Sequence, residues 1–390
     1  MRIIGFRYIK RQRIVVFIII LMLSSMLFSI MAFSLLGFYK GFSAYLGEGK
    51  DVVVVYDRKS STPFTGLIPI YLVKNLSSIK GVIAISPEMI VPCVLKNESV
   101  FLRGIIPEKF VKLNQLVIIK GSMLESEDLD SIIVGRNVAE RLNLKLGERV
   151  LVLSVLVNRY LELQVKGIFV SGSIIDDEII APLYVGQWLR GTDYNYVTVI
   201  RVKIDDNIVK PSTIFEAITT KSSETGSSGG GQLSESFVVS WSRVGFRVED
   251  IGVNEVQKFM ESYLNKYGVT RESLIVLSII VFLLSSATII IASKTILIQH
   301  KGEVSILRSI GVSKKLLKED LFIKLSFWSL IASSIGIILG VTVLTIMQEN
   351  GFLQVLSHTI PIQLDPLVII LNFVLVFILI LMIVLRSELE

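Results

Sequence analysis

Chemistry needs particular side chains, and this sequence is short of them. Cys93 is the one cysteine, and His300 and His358 are the two histidines, among 390 residues. That leaves no intramolecular disulfide, no cysteine cluster for zinc and little material for a Ser/His triad. The acidic run Asp176-Asp177-Glu178 has carboxylates that could ligate calcium, but it lacks EF-hand spacing and reads as a solvated loop. The glycines of Ser222 to Gln232 are followed by no Lys-Ser or Lys-Thr, and Gly47-Glu48-Gly49-Lys50 lacks the spacing of a Walker A, so no phosphate loop is expected. The expectation is a chain that is not an enzyme, with no catalytic residue, metal or cofactor of its own. The segment with the most informative pattern is suited to contact. Gln299 to Leu321 sets Val304, Ile306, Leu307 and Ile310 between polar ends, as an interfacial or partner-facing element would.

What must position that segment is lipid. The chain is 52% hydrophobic, has a mean hydropathy of +0.66 and is 19% charged, against roughly 25% for a soluble domain. Four windows free of formal charge, 14–39, 273–293, 325–348 and 366–385, are each long enough to cross a bilayer as a helix. The first is longer than the roughly 7–15 apolar residues of a signal peptide, so a retained span is expected. Arg2, Arg7, Lys10, Arg11 and Arg13 precede the first window. Between the second and third, seven Lys and Arg residues face Glu303, Glu319 and Asp320 alone. Positive flanks stay in the cytoplasm. The expected layout is therefore an α-helical protein of the plasma membrane with four transmembrane helices in a 1 + 3 arrangement. A basic cytoplasmic N-terminus (1–13) precedes helix 1, a large extracytoplasmic domain (40–272) lies between helices 1 and 2, and a cytoplasmic segment (294–324) joins helices 2 and 3. An external loop (349–365) and a cytoplasmic tail (386–390) complete it. The net charge of +6 is then accounted for by the cytoplasmic flanks, and no nucleic-acid partner is expected.

The large domain reads as mixed α/β. Leu161 to Lys166 alternates as a half-buried strand does, and Asp51–Tyr56, Val150–Val157, Val197–Ile204 and Phe237–Trp241 are apolar runs of strand length. Helices are expected over Arg136–Leu146, with Gly147 as its stop, and over Val253–Tyr267, with Val256, Phe259, Met260 and Tyr263 on one face. Ser222 to Gln232 reads as a flexible Gly/Ser loop. Cys93 is expected to be a small buried or half-buried residue.

Against this layout, the run Glu303-Val304-Ser305-Ile306-Leu307-Arg308-Ser309-Ile310-Gly311-Val312-Ser313 resembles the E-x-x-x-L-R-x-x-G-x-S signature of the MacB/FtsX family of ABC-transporter permeases. Ile132 to Leu142, followed by Leu144 to Val150, resembles that family's glycine, helix, Leu-x-x-Gly-Asp passage, with Glu148 in place of the usual Asp. Leu163 to Phe169 resembles its x-V-x-G-I-F strand. The resemblance implies a permease subunit with a MacB-like extracytoplasmic domain and an FtsX-like transmembrane domain. It implies a separate cytoplasmic ABC ATPase, which binds the ATP and magnesium, and a second permease copy or paralogue in the bilayer. It also implies motion of the external domain driven by that ATPase, used either on an extracytoplasmic substrate or, as in FtsX-like regulators, on a cell-surface hydrolase. A membrane-anchored receptor without ATP coupling is the reading from a different class. On this resemblance Glu303, Ile306, Leu307, Arg308, Gly311 and Ser313 form or shape the ATPase contact, Gly311 giving the bend and Ser313 the cap of the next helix. Gly336 and Gly340, a GxxxG pair, are expected in helix packing, within the chain before between chains.

Overall fold

The structure, a computed structural model, describes residues 11–43, 45–46, 51–60, 62, 64–216, 218, 251–266, 271–299, 301–355 and 357–386. The expected strand Phe237–Trp241 and the Gly/Ser loop at 222–232 lie outside the described residues, as does His300. The chain forms two units. One is helical, comprising 1–40, 269–353 and 360–390, and the other is α/β, comprising 41–268 and 354–359. The backbone passes between them four times, because six residues from the connection between the last two long helices belong to the α/β unit.

The helical unit contains α1 (Arg11–Ser43), α7 (Arg271–Gln299), α8 (Lys301–Ser309), α9 (Lys314–Glu349) and α10 (Pro366–Arg386). Three stretches are long and apolar enough to cross a membrane: Ile14–Tyr39, Lys314–Glu349 and Pro366–Arg386. The expected span at 273–293 falls within α7, whose described apolar run is the shorter Leu283–Thr295. Phe17 and Leu21 of α1 pack with Ile289 and Ala292 of α7, Leu325 of α9 and Ile380 of α10.

The α/β unit is built on one mixed sheet. Its strands are β1 (Val52–Asp57), β3 (Val82–Leu95), β4 (Glu98–Ile105), β5 (Val117–Gly121), β6 (Ser131–Gly135), β7 (Arg149–Ser154), β8 (Tyr160–Val170), β9 (Glu178–Pro182), β11 (Val199–Ile204) and β12 (Ile251–Glu255). Their order is β12-β1-β11-β3-β4-β9-β6-β8-β5, with β7 joining β3 and β8. Two short ribbons pair β2 (Ile68–Pro69) with β10 (Tyr196–Val197), and β13 (Gln354–Val355) with β14 (His358–Thr359).

Residues alternate between the faces of a strand, so each face can be read from the register. Val53, Val55, Met89, Val91, Leu102, Ile179 and Ile200 turn to one apolar core, joined by Leu72 and Leu76 of α2 (Leu72–Ser77) and by Val185 and Leu189 of α5 (Leu183–Arg190). On the other face, Val52, Val54, Ile90, Phe101 and Val199 pack with Phe259, Met260 and Tyr263 of α6 (Val256–Lys266). Beyond them Ile105, Ile133 and Ile180 pack with Phe110 of α3 (Pro107–Phe110).

Two expected helices are shorter than the periodicity suggested. α4 spans Arg136–Arg141 only, because Asn143 takes a left-handed φ of 49° and ends the helix before Gly147. Residues 253–255 extend β12 against β1, so the helix begins at Val256. Cys93 is fully buried on β3.

Candidate functional site

The segment expected to meet a partner folds as a helix, a turn and the start of a second helix. α8 carries Glu303, Ile306, Leu307 and Arg308, and the backbone reverses at Gly311, where φ is +98°. That conformation is one only glycine adopts freely. Gly311 N–H bonds to the Arg308 carbonyl at 2.9 Å and Val312 N–H to that of Leu307 at 3.2 Å, satisfying carbonyls at the helix end. Ser313 Oγ accepts from Leu316 N–H at 3.3 Å and caps α9.

The apolar set of the segment divides by face. Val304 is buried and Leu307 half-buried against Leu317 and Leu321 of α9. Ile306 and Ile310, one turn apart, are 62% and 75% exposed. Leu307 and Val304 therefore hold the helix–turn–helix shape, and the outward apolar surface belongs to Ile306 and Ile310. Arg308 is half-buried.

Gly336 and Gly340 lie where α9 meets α1 of the same chain. A Cβ at Gly336 would stand 2.5 Å from the Met22 carbonyl oxygen and 2.9 Å from Ser25 Cβ, and one at Gly340 would stand 3.2 Å from the Met26 carbonyl oxygen. Small residues let the backbones approach. Polar groups that periodicity did not single out lie nearby. Asn372 of α10 donates to Ser25 Oγ at 2.7 Å and Ser29 Oγ at 3.3 Å, and Ser24 Oγ lies 2.7 Å from Thr288 Oγ1 of α7. In α9, Lys324 donates to Asp320 at 2.5 Å, with both side chains buried.

The α/β unit holds a second constellation, which was not anticipated. Four adjacent strands each place one charge on the same face of the sheet, in the order Arg201 on β11, Glu88 on β3, Arg103 on β4 and Glu178 on β9. Glu88 faces Val199 and Ile105 across its neighbours, and Arg103 faces Ile90 and Ile180, so each charge is diagonal to the next. Diagonal neighbours are within reach of long side chains. Arg201 donates to Glu88 at 2.6 Å, Arg103 to Glu88 at 2.6 Å, and Arg103 to both oxygens of Glu178 at 2.6 and 2.9 Å. Arg201 also donates to the Leu46 carbonyl at 2.7 Å. All four side chains are fully buried or nearly so, and the alternation of sign leaves the row neutral.

The row is closed by the β13–β14 hairpin. His358 Nε2 lies 3.1 Å from Glu178 Oε1, the Tyr45 hydroxyl donates to the same oxygen, and the His358 ring packs edge-on to Tyr45 at 4.9 Å. Thr359 binds Asp177 through its N–H at 2.9 Å and its hydroxyl at 2.8 Å. Asp176 accepts from Ser171 N–H at 2.6 Å and Gly172 N–H at 3.0 Å. The acidic run 176–178 is thus buried and fully engaged, which corrects its reading as a solvated loop: its partners lie on β4, β14 and the 171–173 turn, distant or unmarked in sequence. Among the described residues no group of His, Cys, Asp and Glu is arranged to hold a metal.

Burial alone would raise the Glu178 carboxyl, but the Arg103 charge and the hydrogen bonds from His358 and Arg103 outweigh it and bring it down to about 2 from 4.5. A carboxylate depressed in the fold contributes stability that is complete above its unfolded value and is lost as pH falls toward the folded one. The α/β unit is expected to lose this contribution between about pH 4.5 and 2. Unfolding of the full chain in detergent across that interval, with Glu178→Gln showing a flatter dependence, is the check.

Long apolar helices joined by buried serine and asparagine contacts, together with a large mixed α/β unit, define a membrane protein with one sizeable domain outside the helices. Residues 275–388 match the family described as FtsX-like permease C-terminal, and the resemblance to MacB/FtsX-family ABC permeases is borne out. No curated protein matches the chain in sequence. Among solved structures the chain is similar to the periplasmic region of MacB from Actinobacillus actinomycetemcomitans (14% identity, 56% of this chain and 94% of that one, TM-score 0.37). It is also similar to the extracellular domain of the noncanonic ABC-type transporter YknZ from Gram-positive bacteria (17%, 45% and 95%, 0.34). A third likeness is to a domain of a permease protein from Porphyromonas gingivalis (12%, 53% and 90%, 0.32).

Proposed function

We propose that this chain is the permease subunit of a MacB/FtsX-type ABC system, driven by a separate cytoplasmic ATPase and acting by mechanotransmission on an extracytoplasmic substrate. The family match over 275–388 carries the proposal, and the outward apolar pair Ile306 and Ile310 supports it. In this reading four helices span the bilayer, with both termini and the 294–324 segment in the cytoplasm and the α/β unit outside. A second permease copy or paralogue completes the assembly.

The partner ATPase supplies ATP hydrolysis, and the permease contributes a surface and a lever. Closure of the ATPase dimer can shift the permease between two packed states only by binding one of them better. Ile306 and Ile310 are the groups available for that differential contact, and the Gly311 turn with the Ser313 cap makes α8 and α9 respond as a piece. The α/β unit receives the motion through the four chain connections, one pair of which carries the hairpin held by Asp177 and Glu178.

Orientation is tested by labelling. Cys93 is buried and its thiol is pushed up to about 12 by burial, so it is expected to stay unlabelled in the folded protein. Glu127→Cys on the α/β unit is expected to react with an impermeant maleimide in intact cells, and Ser305→Cys on α8 only after permeabilisation. The opposite pattern contradicts the topology.

A further inference from the structure

Two Asn-x-Ser/Thr sequences occur in the chain, Asn75-Leu76-Ser77 and Asn97-Glu98-Ser99, and the fold treats them differently. Such a sequence accepts N-linked sugar where it lies in a surface segment that a transferase can take hold of. The first does not lie in one. Asn75 is half-buried in α2, Leu76 is fully buried in the apolar core, and Ser77 Oγ donates back to the Lys74 carbonyl at 2.8 Å. Presenting these three residues as an extended segment requires α2 to unwind and Leu76 to leave the core.

The second lies at the tip of the β3–β4 hairpin. Leu95 pairs with Glu98, and Lys96 and Asn97 make the two-residue turn between them, with left-handed φ of 47° and 67°. A turn with both central residues in that region follows the twist of the strands and favours asparagine. That accounts for the asparagine but not for the hydroxyl two residues on, and the residue between them is glutamate, not the proline that disqualifies the sequence. Lys96, Asn97, Glu98 and Ser99 are all exposed, and among the described residues the Asn97 side chain forms no hydrogen bond. The flanking residues hold the turn without covering it. Lys96 Nζ lies 2.7 Å from Glu148 Oε1, and Ser99 Oγ lies 2.8 Å from Ser357 Oγ, an exposed contact that water replaces at little cost.

We propose that Asn97 is a site of N-glycosylation, carrying an oligosaccharide that an extracytoplasmic transferase adds from a polyprenyl phosphate-linked donor. In the transfer Asn97 Nδ2 forms a bond to the anomeric carbon of the first sugar, and the bond from that carbon to the donor's phosphate oxygen breaks. The electron pair leaves on the phosphate, one amide proton passes to the transferase, and nothing is oxidised or reduced. The inference rests on the reading that the α/β unit is extracytoplasmic. The full chain is purified from native membranes, and peptides spanning Asn75 and Asn97 are sequenced by mass spectrometry with fragmentation that keeps sugars attached. A sugar-mass addition is expected on Asn97 and none on Asn75. Asn97→Gln and Ser99→Ala, both at exposed positions, are expected to abolish it, and Ser99→Thr, which keeps the hydroxyl, to retain it. An Asn97 peptide found only at its unmodified mass, a sugar on Asn75, or an addition that survives Ser99→Ala overturns the proposal. The Glu127→Cys labelling separates this failure from that of the topology. Unmodified Asn97 in a chain labelled from outside overturns glycosylation alone, and unmodified Asn97 in a chain labelled only after permeabilisation overturns both.

Discussion

Replacing Arg103 with methionine is expected to destabilise the α/β unit by about 3–5 kcal/mol, the range for removing one partner of a buried pair. Arg103 is the inner cation of the row, bonded to Glu88 on one side and to Glu178 on the other. Without it two buried carboxylates face a gap that methionine cannot neutralise. Arg201 still bonds Glu88, so the uncompensated charge is concentrated on Glu178. The expectation follows that Arg103→Met/Glu178→Gln, neutral overall and with Arg201–Glu88 intact, recovers at least about 1 kcal/mol relative to Arg103→Met. Domains are stable by only about 5–15 kcal/mol, so the single variant approaches the limit of a folded unit. Urea unfolding of the full chain in detergent, followed by protease sensitivity of the α/β unit, measures the difference. Equal stability of the single and double variants would mean that the row is held by packing and not by charge.

Gly336→Leu is expected to prevent assembly of the helical unit. Its first side-chain atom would stand 2.5 Å from a backbone oxygen of α1, where no rotamer change gives relief. Overpacking of this kind costs about 1–3 kcal/mol where neighbours can yield, and more where the obstacle is main chain. The same site carries the Ser25 contacts to Asn372 and to the Ser333 carbonyl, which separation of α1 from α9 would break. Gly340→Ala, with its nearest contact at 3.2 Å, is expected to be tolerated or mildly destabilising. Yield of monodisperse protein after detergent extraction ranks the two. A normal yield for Gly336→Leu would mean that α1 and α9 do not approach as closely as the fold requires.

How much of this was legible depended on whether the signal was local. Ser313 and Gly311 announce a cap and a turn through residues one to three positions away, and the structure places both where sequence put them. The charge-free windows read directly as long helices, because lipid imposes one rule on every residue in them. The charged row was opaque for the converse reason. Arg103 lies between Leu102 and Gly104 in an apolar strand, and its carboxylates come from positions 88 and 178, on neighbouring strands that only the sheet order brings together. The available sign was a charge set among apolar neighbours in several strands: Glu88, Arg103 and Arg201. The Asp176–Glu178 run misled because adjacent carboxylates are usually solvated, whereas its partners include Thr359 and His358 of a hairpin far along the chain. In α8 and the turn that follows it, periodicity grouped four apolar residues that packing divides into an inward pair, Val304 and Leu307, and an outward pair, Ile306 and Ile310.

The central claim is that the outward pair meets an ATPase, and affinity purification from native membranes in mild detergent tests it most directly. The comparison is wild type against Ile306→Asp/Ile310→Asp, whose exposed positions leave the Val304–Leu317–Leu321 packing intact. The account predicts an ABC ATPase with the wild type and at least a tenfold loss of it from the double variant, at equal recovery of folded permease. Equal ATPase recovery from both would contradict the assigned contact, and absence of any ATPase from both, with the permease folded, would contradict the ABC reading itself.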